Sequence, residues 1–137
     1  MAHFEIIDHA ADIGLAAWGE TFEEALAGLA EGMFSIMADL GTIEERLCRK
    51  VKVESPDQES LVVDWLNELL YIADIERLVF CRFEITGLAG CGLLAECHGE
   101  RIDPAKHRLG PAVKAATYHM LAVERGDCYR IKVILDI

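Results

Sequence analysis

From Asp57, which is offered as a helix cap, to Ile72 the chain carries its strongest pattern: Leu61, Val62, Trp65, Leu66, Leu69, Leu70 and Ile72 form one broad apolar stripe at helical spacing, with Asp64, Asn67 and Glu68 on other faces. Such a segment must be a long helix laid against a core. A second helix is signalled by Thr21-Phe22-Glu23-Glu24, a capping box in which the threonine hydroxyl accepts from the amide of Glu24. Phe22, Leu26, Leu29, Met33, Phe34 and Met37 then recur at intervals of three and four, and Asp39-Leu40-Gly41 ends the run. Methionines at that spacing are read as packing residues.

Elsewhere the period falls to two. Phe4–Asp8, Ile13–Gly19, Leu47–Glu54, Leu78–Thr86, Leu93–His98, Tyr118–Glu124 and Tyr129–Asp136 read as strands, and Ala112–Thr117 as a short helix carrying Lys114. Gly87 to Gly92 is a hairpin connection and Gly126-Asp127 a turn. The predicted fold class is α+β: a single domain over residues 1–137, with a largely antiparallel sheet and two long helices packed on it. A chain of 137 residues suffices for one core and is short for two.

Thirteen basic residues against twenty-four acidic ones give a formal net charge of −11. That balance repels phosphates and disfavours direct nucleic-acid binding, while cations or a basic protein partner are favoured. The longest apolar runs fall short of the ~20 residues that span a bilayer, and Met1–Glu5 lacks the basic-then-apolar pattern of a signal peptide, so a cytoplasmic location with no membrane association is expected. Five cysteines, an odd number with no Cys-x-x-Cys pair, are expected as reduced thiols. Cys91, Cys97, His98 and His107 can be combined into a zinc site, but their spacing fits no closed tetrahedral pattern.

Motifs for a nucleophile elbow, a phosphate loop, a dinucleotide fingerprint and a zinc-protease helix are missing, so no catalytic residue is assigned. Two acidic residues stand out. Asp12 lies in Asp8-His9-Ala10-Ala11-Asp12-Ile13-Gly14, and Asp136 lies in Ile134-Leu135-Asp136-Ile137. Each is set in an apolar run, where an ionised carboxylate needs compensation, and oxygen donors suit a hard divalent cation. The competing reading makes Asp12 a turn or cap residue and Asp136 a solvated charge at a strand end. His9, His98, His107 and His119 are the histidines considered for a site, His9 first for its closeness to Asp12.

Five segments in register carry a resemblance. Asp8–Gly14, Trp65-Leu66-Asn67-Glu68-Leu69-Leu70-Tyr71, Gly99-Glu100, Val113-Lys114-Ala115-Ala116-Thr117-Tyr118-His119 and Leu135-Asp136-Ile137 together resemble the archease family over nearly the whole chain. The resemblance implies an accessory protein, not itself an enzyme, that activates an RtcB-type RNA ligase in tRNA splicing and RNA repair. In that role it promotes guanylylation of the ligase and multiple turnover, meeting tRNA or broken RNA only through the ligase. It further implies a divalent metal, calcium in type, held by Asp12, Asp136 and Ile137, with Lys114 and His9 as partner-facing or supporting residues. Two departures are visible: Ala10 stands where the family usually has threonine, and Ala112 where it usually has an acidic residue. The alternatives are a stand-alone metal-dependent phosphoesterase or nucleotide-processing enzyme using His9 and Asp12, and a chaperone-like binding module.

Overall fold

The computed structural model describes residues 3–8 and 12–137. Strands β1 (His3–Asp8) and β2 (Asp12–Gly19) come first, then helix α1 (Phe22–Met37), a 3-10 turn at Leu40–Thr42, strand β3 (Leu47–Glu54) and helix α2 (Gln58–Glu76). Strands β4 (Leu78–Ala89) and β5 (Gly92–Arg101), the short helix α3 (Pro104–His107), and strands β6 (Ala115–Arg125) and β7 (Tyr129–Asp136) complete the order. The α+β class with antiparallel strands and two long helices holds. The strands divide between two sheets, one ordered β1-β2-β7-β6 and the other β3-β5-β4, and every pairing is antiparallel.

Both helix starts follow their local chemistry. Thr21 Oγ1 accepts from the Glu24 amide at 3.1 Å, and Glu24 reaches back one residue further than a simple capping box would, to the Glu20 amide at 3.0 Å. Asp57 Oδ1 caps α2 by accepting from the Ser60 amide at 2.7 Å. Helix α1 lies between the sheets, touching β1, β2 and β7 of one and β4 of the other. Its small residues permit this: a Cβ at Gly32 would come within 2.7 Å of Leu15 and 2.9 Å of Phe4. Trp65 of α2, fully buried, donates from Nε1 to the Leu26 carbonyl of α1 at 3.0 Å, fixing the two helices against each other. Phe34, Phe80, Phe83 and Trp65 pack edge-on or tilted, with ring centroids 5.6 to 6.3 Å apart, in a core continuous with both sheets.

One local reading is corrected. Residues 112–114 are not helical, and Ala115–Thr117 open β6 by pairing with Asp136, Leu135 and Ile134. The short helix lies earlier, at Pro104–His107, where Asp103 Oδ1 caps it through the Ala105 amide. In β4 a bulge between Phe80 and Arg82 reverses the alternation, so Phe80 joins Phe83 in the main core while Val79 packs with Ala38 and Ile43 in a second cluster.

The bulge leans on Gly99. A Cβ there would stand 1.9 Å from the Val79 carbonyl oxygen and 2.7 Å from the Phe80 Cα, both backbone atoms that cannot swing away. Gly99→Ala should therefore destabilise the fold by about 3 kcal/mol or more in urea titration, through forced separation of β4 and β5. Gly126→Ala, at a turn with nothing within 4 Å of the added carbon, should change stability by less than about 0.5 kcal/mol.

Candidate metal centre and the residues around it

Asp12 opens β2 and Asp136 closes β7, and the register of the two strands sets them directly opposite each other. Ile13, Leu15 and Ala17 face Leu135, Val133 and Ile131, all but Ile13 members of the core, so Asp12 and Asp136 share the face of the sheet turned away from α1. Asp12 is half-buried; Asp136 and Ile137 are exposed. Like charges directly across a ladder repel, and an oxygen-only donor set of this kind fits a hard divalent cation.

The neighbouring strands end at the same place. β1 stops at Asp8, whose register partner is Ile13, and β6 begins at Ala115, whose register partner is Asp136. The Lys114 amide donates to the Asp136 carbonyl at 2.7 Å, so the lysine is held beside the acidic pair by its main chain while its side chain is exposed. His9, Ala10 and Ala11 lie outside the described residues, and the reading of His9 goes with them.

Asn67 anchors this end of the sheet. Its Oδ1 accepts from the Ala116 amide at 2.8 Å and its Nδ2 donates to the Ala116 carbonyl at 3.3 Å, which reproduces on β6 the pair of bonds a further strand would make. The Asn67 of the family-like helix segment thus has a positioning job on the strand that flanks Asp136.

The Gly99-Glu100 pair serves a different purpose. Glu100, buried at the end of β5, accepts from the Glu44 amide at 2.7 Å and from Lys106 Nζ at 2.8 Å, and lies 3.0 Å from His107 Nε2. Arg46 Nε stands 3.3 Å away. The fully buried His107 accepts from the Asp103 amide at Nδ1, 2.8 Å, so its proton sits on Nε2 and is donated to Glu100. The Glu44 amide, then Lys106 and His107, hold the Glu100 carboxyl down at about 2, against an ordinary value of 4.5. Its partners come from residues 44, 46, 106 and 107, and the sequence singled out Glu100 only as half of the Gly99-Glu100 pair.

The zinc combination does not assemble. Cys97 is buried on the core side of β5, with its thiol pushed up to about 12 by burial, while His98 is on the opposite face and His107 is engaged by Glu100. His119 is exposed on β6. All five cysteines are free thiols.

A two-sheet α+β protein with an acidic pair forced together at the end of one sheet is the class that fold and site define. Against known proteins, a sequence profile of the archease protein family (MTH1598/TM1083) matches residues 4–137. The protein archease of Pyrococcus abyssi is 40% identical over 128 residues, covering 91% of this chain and 90% of its own. That of Methanosarcina acetivorans is 34% identical over 139 residues, covering 98% and 95%. The solution structure of Methanobacterium thermoautotrophicum protein 1598 superposes with a TM-score of 0.83 at 34% identity, covering 98% of each chain. The chain belongs to the archease family.

Two outcomes are expected. Asp136→Asn should raise stability in chelator by a few tenths of a kcal/mol, by relieving the cross-strand repulsion, and added Ca²⁺ is expected to raise the melting temperature of the unaltered protein more than that of the variant. Because the carboxyl of Glu100 is depressed, it contributes stability above its unfolded value of 4.5, and that contribution is lost as pH falls toward about 2. Thermal melts between pH 5 and pH 2 should show this loss, and Glu100→Gln should start from a lower melting temperature and show a shallower fall.

Proposed function

We propose that this protein is a non-catalytic activator of an RtcB-type RNA ligase, acting through the acidic end of its four-stranded sheet to promote guanylylation and repeated turnover of the ligase. The observation that carries the reading is the cross-strand pair Asp12 and Asp136, set beside Lys114 in a chain of the archease family. The net charge of −11 suits a basic, nucleotide-handling cleft as the docking partner and leaves contact with tRNA or broken RNA to the ligase.

Asp12, Asp136 and a main-chain or terminal oxygen of Ile137 would hold a divalent cation, calcium in type. When bound, that cation supplies the positive charge that nucleotidyl transfer needs beside a triphosphate. The protein's own residues supply placement. The β2–β7 register fixes the separation of the carboxylates, Asn67 holds β6 alongside, and the Lys114 main chain braces Asp136. Lys114, with its side chain exposed, is placed to meet an acidic group of the ligase or a phosphate oxygen of its nucleotide.

Guanylylation of the ligase, followed with labelled GTP in the presence of divalent ions, provides the test. Asp12→Ala and Asp136→Ala should each lower the stimulation at least about tenfold, and Lys114→Ala should lower it less, in proteins whose melting curves show them folded. Undiminished stimulation by both aspartate variants would remove the reading. Phosphoester turnover by the purified protein alone, sustained over many cycles, would instead favour the hydrolase alternative.

A further inference from the structure

The outer face of the three-stranded sheet brings together three side chains of different chemistry that the acidic end does not use. Cys48 on β3 and His98 on β5 are directly opposite in the register, and Glu96 lies two residues before His98 on the same face. The Cys48 Sγ, one ring nitrogen of His98 and one carboxylate oxygen of Glu96 all lie within 4.8 Å of one another. Ligands around a tetrahedral zinc ion stand about 3.3–3.8 Å apart, a difference that a small side-chain rotation covers. Among the described residues this is the one group of three such ligands found so close together.

The imidazole is already oriented. His98 Nε2 lies 2.9 Å from Glu84 Oε1, and Glu84 is paired in turn with Arg82, which also binds Glu45 at 2.8 Å. A carboxylate on one ring nitrogen fixes the tautomer and raises the basicity of the other, the arrangement that recurs around metal-bound histidines. Lys50, opposite Glu96 in the register, is a nearby cation whose charge moderates the affinity for a dication.

We infer that Cys48, Glu96 and His98 form a second metal site, selective for a thiophilic divalent ion of the zinc class and distinct from the oxygen-only pair of Asp12 and Asp136. Thiolate and imidazole select zinc or cobalt over calcium, whereas two carboxylates select the reverse. Binding displaces the Cys48 proton and ties β3 to β5 through their side chains; three protein ligands leave the fourth position to water. The site stands on the opposing sheet from the acidic pair, so either can be removed without touching the other.

Co²⁺ added to the reduced, full-length protein in excess Ca²⁺ tests the inference. A thiolate-to-cobalt charge-transfer band in the near ultraviolet should saturate at a single equivalent and bleach on addition of Zn²⁺. Cys48→Ser should abolish the band, His98→Ala should weaken Zn²⁺ binding about tenfold or more, and Asp136→Asn should leave both unchanged. Zn²⁺ should also protect Cys48 from alkylation while leaving Cys128, the other exposed cysteine, reactive. No band, a band that survives Cys48→Ser, or displacement by Ca²⁺ alone would each overturn the inference. Cys48 is exposed, so its serine variant is expected to fold, and matched melting curves check that.

Discussion

Everything at the acidic end depends on one pairing, that of β2 with β7. It joins residues 12–19 to residues 129–136, and it does so without a break in register across all eight positions. Closing so long a loop costs little more than closing a shorter one, because the entropy grows only with the logarithm of length. What holds it closed is burial: Leu15, Ala17, Ile131, Val133 and Leu135 are fully enclosed against α1 and its neighbours. A one-residue slip would carry these side chains to the opposite face and would also part the two aspartates. The same apolar contacts that stabilise the sheet therefore dictate the distance between its charges.

Two kinds of polar device secure the remainder. At the acidic end, Asn67 satisfies Ala116 in the manner of a neighbouring strand. At the end of β5, Glu100 gathers an amide, an ammonium and an imidazole, and ties the segments around Glu44 and Lys106 to the strand. The first supports the proposed functional surface and the second supports the fold, although both fall in segments that carried the family resemblance. A shared motif does not by itself separate the two roles; hydrogen-bond partners do.

The helices were legible because their signals are local. The Thr21 and Asp57 caps and the stripe from Leu61 to Ile72 are all written within a few turns, and the structure uses each of them. Strand content was likewise legible, down to the bounds of β7 at Tyr129 and Asp136. The division into two sheets was not, because alternation tells which residues share a face and says nothing of which strand lies alongside. The segment 112–117 misled through composition. Its alanines and lysine favour a helix in isolation, and pairing with Asp136, Leu135 and Ile134 overrides that preference. At the candidate site, the unusual setting of Asp12 and Asp136 was visible, but their opposition required the register. Glu100 was legible only as part of a motif, since its partners are spread over residues 44 to 107.

The outer strand β6 has a last consequence. Between Thr117 and Ala122 it loses register with β7, Met120 takes a left-handed conformation with φ of 53°, and Tyr118 and Met120 are left exposed. An open edge of this length is ordinarily a template on which a stranger's backbone can add itself. Here the first stretch is already occupied by Asn67 and the next is buckled, so a straight incoming segment finds no continuous row of amides and carbonyls to zip onto. The aromatic and thioether groups can stay in water without the margin of the molecule becoming a seed for fibrils.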